Sequence, residues 1–303
     1  MKKRLLDLFK GFILGVDSTV PGISIATLAI LLNIYERLIE DFSNLFKTPW
    51  KVIRNNIYLV LGFLVGIVFN VIAITYLLSH FPLPSVMFFL GLVLLSIPAI
   101  FKKIDKKNIK IKDIVAFVIS LVVIIVLSII NGGISRELDI NVWFVLMIFF
   151  LALLASSAMV IPGISGSLII MAFGYYEVIL TIFKEFLLIF TGANNYKIWI
   201  IVMLCLIFAL GVILGIVLCA KLIKYLLNRF TNVLYMAILG LIVGSPFSII
   251  YLTNKTYVID YSNPYVYVFS AITLVLGIIL GIFILKLSHN SESEGIKKEK
   301  NID

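Results

Sequence analysis

The chain has 303 residues, of which 62% are hydrophobic and only 14% are charged, and its formal net charge is +9. A soluble domain of this length cannot bury so much apolar surface, so the composition excludes a water-soluble protein and predicts an integral membrane protein. The positive charge does not indicate a nucleic-acid partner, because six lysines are concentrated in one short loop, "FKKIDKKNIKIK" at 101–112, between two apolar spans.

The first predicted element is a helical hairpin over 9–46. Basic residues lie on both sides of it, at the start of the chain and in "KTPWKVIRNN" at 47–56. Short loops rich in Lys and Arg mark the cytoplasmic side of a membrane. The segment is therefore expected to enter and leave on the same side, as a re-entrant hairpin, and Pro21-Gly22 falls where the chain must turn.

The remaining apolar segments repeat this order. After the first hairpin we predict spans at 57–79, 84–101 and 113–131; a second hairpin at 142–190 turns at Pro162-Gly163, and spans follow at 198–220, 233–251 and 265–285. Because three spans follow each hairpin and three is odd, the second half is inverted relative to the first. The predicted fold is an all-α polytopic membrane protein with two inverted repeats, 1–140 and 141–287. A disordered cytoplasmic tail at 288–303 completes it, with both termini inside.

An internal duplication supports the repeat. The stretches "VPGISIATLAILLNIYE" at 20–36 and "IPGISGSLIIMAFGYYE" at 161–177 agree at six of seventeen positions. Farther along, "FLVG" at 63–66 resembles "FALG" at 208–211, and "LGLVLLS" at 90–96 resembles "LGLIVGS" at 239–245.

The paired Pro-Gly interruptions predict a substrate site, as in transporters with inverted repeats. A broken helix leaves backbone N–H groups unpaired at its start, and with the helix dipole these groups bind an anion without a buried lysine. A phosphate or a carboxylate suits such a site. Three glycines would permit close approach of the ligand to the backbone: Gly22, Gly163 and Gly166. Four hydroxyl side chains would add hydrogen-bond donors: Ser24, Thr27, Ser165 and Ser167. The alternative is that each Pro-Gly only kinks a helix and the serines bond to their own carbonyls.

Four ionisable residues near the turns are candidates for ion coupling or for steering a phosphate, because charged side chains within a membrane are rare and have partners. Asp17 precedes Pro21, Glu36 and Glu177 occupy equivalent places in the two motifs, and Arg37 follows Glu36. The alternative is an interfacial carboxylate for each glutamate and an interfacial anchor for the arginine.

The sequence predicts no enzyme. The tetrapeptide "GISG" at 163–166 resembles the nucleophile motif of rhomboid intramembrane proteases, but a serine nucleophile needs a nearby base and the chain has only His80 and His289. It contains neither a Cys/His/Asp cluster with metal-ligand spacing nor a Gly-rich phosphate loop with a lysine. We therefore expect no cofactor and no metal.

At the twin motifs the chain resembles a known family. The stretches "GVDSTVPGISIATLAILLNIYERLI" and "LASSAMVIPGISGSLIIMAFGYYEVIL" are similar to the paired motifs of the polyprenyl-phosphate transporter family, the PopT type, formerly a domain of unknown function. The likeness covers both halves, and the second motif is the closer match. In the first motif Ile25 and Ala26 stand where the family commonly has Gly-Gly.

This resemblance implies a flippase that moves undecaprenyl phosphate, the carrier lipid of cell-wall precursors, from the outer to the inner leaflet of the bacterial plasma membrane, coupled to an ion gradient. Carried over by position, the two lips of its head-group site are Gly22, Ile23, Ser24, Gly163, Ile164, Ser165, Gly166 and Ser167. The expected partners are this lipid and membrane lipids.

Two alternatives stay open, a secondary transporter of a small soluble anion and a membrane scaffold for cell-envelope enzymes. A lipid phosphatase is disfavoured because the His and Arg pattern of that chemistry is missing. The sequence does not predict an oligomeric state.

Overall fold

The protein is almost entirely helical. The structure, a computed structural model, describes residues 2–16, 24–70, 73, 75–130, 140–189 and 197–299, and these contain no β-strand. Seven helices within these ranges are long and apolar enough to cross a membrane, and a sharply bent helix pair could form an eighth span. The prediction of an all-α polytopic membrane protein is confirmed.

In chain order the α-helices are α1 (Lys2–Val16), α2 (Ile25–Leu31), α3 (Tyr35–Ser43), α4 (Pro49–Phe69), α5 (Thr75–His80), α6 (Pro82–Leu94), α7 (Ser96–Phe101), α8 (Ile111–Ile129), α9 (Val142–Val160), α10 (Gly166–Ala172), α11 (Tyr176–Leu188), α12 (Ile198–Arg229), α13 (Thr231–Thr256) and α14 (Pro264–Glu299). The helices of membrane length are α4, α6 with α7, α8, α9, α12, α13 and the first part of α14. The bent pair is α10 with α11, at 112°.

The predicted spans overlap these helices but differ at their ends. The helix predicted to begin at 57 begins at Pro49, because proline is pre-organised for the first helical turn. At the other end of the chain α14 continues to Glu299, where the sequence predicts a disordered tail from 288. Extending an existing helix fixes one residue per hydrogen bond and is easier than starting one, which is why composition alone misses such extensions.

The helices α1 and α4 pack tightly and run in the same direction. A Cβ on Gly11 would lie 2.0 Å from the carbonyl oxygen of Leu59, and one on Gly15 would lie 2.2 Å from that of Phe63. Small residues allow this backbone approach between membrane helices. Since later residues of α1 meet later residues of α4, the chain between them returns to the end of the molecule where α1 began.

The same arrangement occurs between α9 and α12. A Cβ on Gly211 would lie 2.6 Å from the carbonyl oxygen of Phe149, and one on Gly215 would lie 2.3 Å from that of Leu153. By packing, Gly211 corresponds to Gly62 of α4. The alignment of "FLVG" with "FALG" instead pairs Gly211 with Gly66. The sequence alignment is displaced by one helical turn, which leaves the apolar face unchanged and so cannot be detected from composition.

The two halves also exchange helices. A Cβ on Gly240 of α13 would lie 2.3 Å from the carbonyl oxygen of Phe117 in α8, and one on Gly277 of α14 would lie 2.0 Å from that of Phe88 in α6. Each of these pairs is again parallel, and Gly91 and Gly240, which the sequence aligns, both lie at close approaches. The halves are therefore interlocked and not separate domains.

One end of the molecule collects the basic segments, and we call it the basic end. It comprises the loop at 102–110, the end of α12 and the start of α13. The backbone N–H of Asp105 donates to Asn232 Oδ1 at 2.9 Å, and the Asn232 amide donates back to the Asp105 carbonyl at 3.0 Å. The lysine-rich loop is thus fixed to the turn between α12 and α13.

Candidate functional site

From their serines onward, the two duplicated motifs fold into the same backbone structure. Each begins with an extended serine, Ser24 at φ −107° and ψ 129° and Ser165 at φ −94° and ψ 135°, which is followed by a helix of seven residues. The repeat observed in the sequence is therefore also a repeat of local structure.

Both short helices end in the same way. Asn33 has φ 54° and Gly174 has φ 76°, the left-handed conformation that ends many helices. The next N–H, of Ile34 or Tyr175, bonds back to the carbonyl five residues earlier, the pattern of a Schellman motif. Asparagine is one of the few residues besides glycine that adopts this conformation, so the sequence difference at this position preserves the turn.

The glycines of the second turn serve the fold. Gly163 has φ +88°, and a Cβ there would lie 2.8 Å from Cβ of Leu241 in α13. A Cβ on Gly166 would lie 2.8 Å from the carbonyl oxygen of Ala155 in α9. These two positions need glycine for the turn and for helix packing, and their predicted role in the close approach of a ligand stays a prediction.

The first turn lies largely outside the described residues. Three of the predicted site residues, Asp17, Gly22 and Ile23, lie there together with Pro21, outside the described residues. The description resumes at Ser24, which is 3% exposed, and continues to Thr27, which is 1% exposed.

The structure brings the two motifs together. The hydroxyl of Thr27 accepts a hydrogen bond from the backbone N–H of Gly163 at 2.8 Å, and the hydroxyl of Ser24 donates to the carbonyl of Ile161 at 3.3 Å. Tyr35 donates to the carbonyl of Val160 at 3.2 Å. Residues more than a hundred positions apart in the chain thus form one polar contact between the hairpins.

These bonds divide the predicted site residues into two groups. Ser24 and Thr27 bind the second turn, and the amide of Gly163 is already occupied by Thr27. The hydroxyls of Ser165 and Ser167 lie 2.8 Å apart, are partly exposed, and bond to each other. Ile164 beside them is buried. The groups that can turn towards a ligand are therefore the two serines of the second motif and the first amides of α10, which Ser165 does not cap with its side chain.

Arg37 lies in a network away from these turns. Its guanidinium forms an ion pair with Asp7 at 2.9 Å and a longer one with Asp41 at 3.9 Å. It also donates to the carbonyl of Asn55 at 2.9 Å and to Oδ1 of Asn56 at 3.1 Å. An arginine fork with several fixed acceptors positions chain segments, and here it joins α3 to α1 and α4.

Glu36 lies at the basic end. Oε1 accepts hydrogen bonds from Lys103 at 2.6 Å and from the hydroxyl of Tyr235 at 2.5 Å. Partial burial acts to raise the pKa of this carboxyl, but the hydrogen bonds from Lys103 and Tyr235 outweigh burial, and the pKa lies below its ordinary value. Glu36 is therefore ionised in this conformation.

The two glutamates have different surroundings. Glu36 borders a cavity of about 380 Å³ between α3, α12 and α13, lined also by Ile39, Glu40, Lys224, Leu227, Asn228, Thr231 and Tyr235. Glu177 is exposed at the start of α11, and its carboxylate has no hydrogen bond or ion pair with the described residues. Equivalent positions in the sequence are thus not equivalent in their contacts.

Sequence reasoning missed three polar residues. Lys10, treated only as a marker of the cytoplasmic side, is buried and donates to the carbonyl of Leu32 at 2.7 Å, at the end of α2. The position of Lys10 inside an apolar run was the sequence feature that could have indicated its burial. Lys103 and Tyr235 gave no such signal, because one looks like its neighbouring lysines and the other like any tyrosine near an interface.

Comparison with known proteins gives a family. A family model described as undecaprenyl phosphate translocase-like matches residues 14–265. The chain is 26% identical over 250 residues to the polyprenyl-phosphate transporter of Staphylococcus aureus (strain NCTC 8325 / PS 47), which covers 80% of this chain and 85% of that protein. It is 28% identical over 254 residues to the polyprenyl-phosphate transporter of Vibrio cholerae serotype O1 (strain ATCC 39315 / El Tor Inaba N16961), covering 78% and 74%.

No solved structure matches the chain. The family is one of transporters and not of enzymes, which agrees with the sequence prediction, and the resemblance inferred from the twin motifs is confirmed. Since the family model spans most of the chain, this multi-pass membrane protein belongs to the undecaprenyl phosphate translocase-like family.

Proposed function

We propose that this protein is a flippase for undecaprenyl phosphate, and that the two hairpin turns form its head-group site. The observation that carries the proposal is the contact between the turns, where Thr27 holds the amide of Gly163 beside the paired hydroxyls of Ser165 and Ser167. A polar contact of this kind within apolar helices is expected where a polar ligand is bound.

The site is asymmetric in this proposal. The second turn binds the phosphate through Ser165, Ser167 and the first amides of α10. The first turn supports it, because the hydroxyls of Ser24 and Thr27 are used on the second turn. Ile25 and Ala26, which stand where the family commonly has Gly-Gly, belong to this supporting segment.

The inverted repeat is supported by helix directions. Arg37 contacts Asn55 and Asn56 near the start of α4, and Glu40 of α3 contacts Lys224 near the end of α12 at 3.5 Å. α4 therefore begins, and α12 ends, near α3 and the basic end. As α1 is parallel to α4 and α9 is parallel to α12, the second hairpin enters from the opposite end. This arrangement supports the proposal of re-entrant hairpins within 1–140 and 141–287.

The basic end is assigned to the cytoplasm. Lysines and arginines of short loops accumulate on that side, and the structure brings the loop at 102–110 together with the end of α12. Both termini are then inside, in a bacterial plasma membrane. Transport from the outer to the inner leaflet would deliver the lipid phosphate to this end.

In this proposal, transport is coupled to an ion gradient. Asp17, Glu36 and Glu177 remain its candidates. Glu36 can exchange a proton near neutral pH only in a conformation in which Lys103 and Tyr235 no longer bond to it, since both favour its ionised form. We assign Arg37 to holding the first hairpin and not to steering phosphate.

A binding experiment tests the head-group site directly. Purified protein in detergent is titrated with a short-chain polyprenyl phosphate, the corresponding prenyl alcohol and inorganic phosphate, and thermal stabilisation is measured. We expect stabilisation by the lipid phosphate alone, and its loss in Ser165→Leu, because the added bulk fills the site. Ser79→Leu, at an exposed position in α5, is the matched control. Equal stabilisation by inorganic phosphate would favour a soluble anion as substrate, and unchanged binding in Ser165→Leu would contradict the site.

A further inference from the structure

The second arms of the two hairpins do not occupy equivalent places. α3 shares a buried apolar cluster with α12 through Ile39 and Ile223. α11 also lies on α12, where the rings of Phe183 and Phe208 are 5.3 Å apart. In the repeat, α4 is the counterpart of α12. Both arms thus pack on α12, whereas α3 reaches α4 through the polar contacts of Arg37 and Asp41 with the start of α4.

Equivalent residues of α4 and α12 show the difference. The glycine contacts align Gly66 with Gly215, and two residues farther on Val68 aligns with Val217. Val217 is 1% exposed and Val68 is 60% exposed. The same helix face is therefore covered in α12 and exposed in α4.

Polar contacts fix this asymmetry at the basic end. Glu36 of α3 bonds to Lys103 and Tyr235, and Glu40 pairs with Lys224 of α12 at 3.5 Å. We call the contacts of Glu36 with Lys103 and Tyr235 the latch. In the second hairpin Glu177 has no such contact with the described residues, and Thr181, which aligns with Glu40, bonds to the carbonyl of Glu177 in its own helix.

We infer that this structure is one of two conformations that the protein exchanges, with the basic end closed by α3 on α12 and held by the latch. In the other, the latch opens, α3 leaves α12, and α11 covers the exposed face of α4 at the opposite end. The inference rests on the proposed transport function. Two arrangements of similar energy are expected because the repeated halves offer the same contacts twice, and packed elements switch between discrete states.

The exchange gives the latch a role that the head-group site does not have. In the present conformation the latch and the Glu40–Lys224 pair hold α3 at the basic end, and the opposite end faces outside in the proposed orientation. This state suits collection of a lipid phosphate from the outer leaflet. The cavity of about 380 Å³ beside the latch marks where the basic end would open.

A reversible crosslink tests the exchange. In a variant with Cys205 and Cys219 replaced by serine, Glu40→Cys and Lys224→Cys are joined by a short bifunctional methanethiosulfonate, which a reducing agent removes. Undecaprenyl phosphate translocation is then measured in proteoliposomes. We expect the crosslink to abolish transport and reduction to restore it, which excludes misfolding. A control crosslink joins Phe12→Cys and Phe69→Cys in α1 and α4, whose native rings lie 5.5 Å apart, and should leave transport in place.

A second readout does not depend on transport. Ile39 is 2% exposed and lies between the latch and α12. On the cysteine-free background, Ile39→Cys should react with a soluble maleimide about two- to fivefold faster when Lys103→Met removes the ion pair of the latch, the factor that a partly exposed ion pair supplies. Lys102→Met makes the same charge change next to it and should have no effect.

The outcomes separate the two proposals. Continued transport with the Glu40–Lys224 crosslink in place, or equal labelling in Lys103→Met and Lys102→Met, would overturn the exchange and leave the transported substrate unaffected. No transport by the protein without any crosslink, together with faster labelling in Lys103→Met, would overturn the proposed function and support the exchange.

Discussion

At the residue scale, a few hydroxyls decide how the two turns meet. The hydroxyl of Thr27 satisfies the N–H of Gly163 in a buried place, where an unpaired backbone donor is costly. The sequence marked Thr27 as a ligand donor because it follows a Pro-Gly break. Its partner could not be predicted, since the contact joins two turns distant in the chain and depends on how the halves interlock.

Thr27→Val tests this contact with almost no change of shape. We expect a loss of about 1–3 kcal/mol in the free energy of unfolding, because the buried N–H of Gly163 loses its acceptor. Thr27→Ser keeps the hydroxyl and should lie much closer to the wild type. Thermal and denaturant unfolding in detergent measure both variants, and equal stability of Thr27→Val and Thr27→Ser would contradict the contact.

The latch predicts a pH dependence with a definite sign. The pKa of Glu36 is lowered from 4.5 in the folded protein by Lys103 and Tyr235 despite burial. The stabilisation that ionised Glu36 gives to the closed conformation is therefore present above the pKa of Glu36 in the unfolded chain. It is lost as the pH falls through the lower pKa of Glu36 in the folded protein. The other charged groups that border the cavity beside Glu36 are Lys224 and Glu40. Hydrogen exchange of the amides of α3 should therefore become faster below pH 4.5. The Glu36→Gln variant should not show this pH-dependent increase.

At the scale of elements, the two copies of the motif are more alike in local structure than in sequence. Both short helices begin at an extended serine and end in a left-handed residue, although asparagine stands in one and glycine in the other. Pro-Gly and serine are local signals, so the sequence could mark where each motif begins, although the turn at Pro21-Gly22 lies outside the described residues. The ends of α4 and the register of its glycines depend on packing between helices, and the sequence misplaced both.

Substitution of Asn33 tests the helix-ending conformation. Asn33→Gly and Asn33→Ala both remove the side chain, so any difference between them reports the backbone at φ 54°. We expect the alanine variant to be less stable than the glycine variant by roughly 1–2 kcal/mol, the cost of the left-handed conformation for a residue with Cβ. Equal unfolding free energies would contradict the assignment of a left-handed turn at this position.

At the scale of the whole molecule, the helices pack as four parallel pairs, two of which interlock the halves. α1 with α4 and α9 with α12 repeat one contact within each half, while α8 with α13 and α6 with α14 join the halves. The sequence predicted two halves with opposite directions from loop charge and an odd number of spans. The exchange of helices between halves left no signal, because lipid-facing and helix-facing residues in a membrane are both apolar.

Side-specific labelling tests the proposed orientation. Lys107→Cys in the basic loop and Ser262→Cys in the loop between α13 and α14 are exposed positions at the two proposed sides. In intact cells an impermeant maleimide should label Ser262→Cys, and it should label Lys107→Cys only after the cells are opened. The reverse pattern would contradict the cytoplasmic assignment of the basic end.

The most direct test of the central claim is translocation of undecaprenyl phosphate in proteoliposomes, with a proton or Na⁺ gradient imposed or absent. Wild-type protein and Ser79→Leu should move the lipid between leaflets, and Ser165→Leu should lose this activity while remaining folded, because the added bulk occupies the site between the turns. Transfer by Ser165→Leu at the wild-type rate, or no transfer by folded wild-type protein under any gradient, would contradict the account.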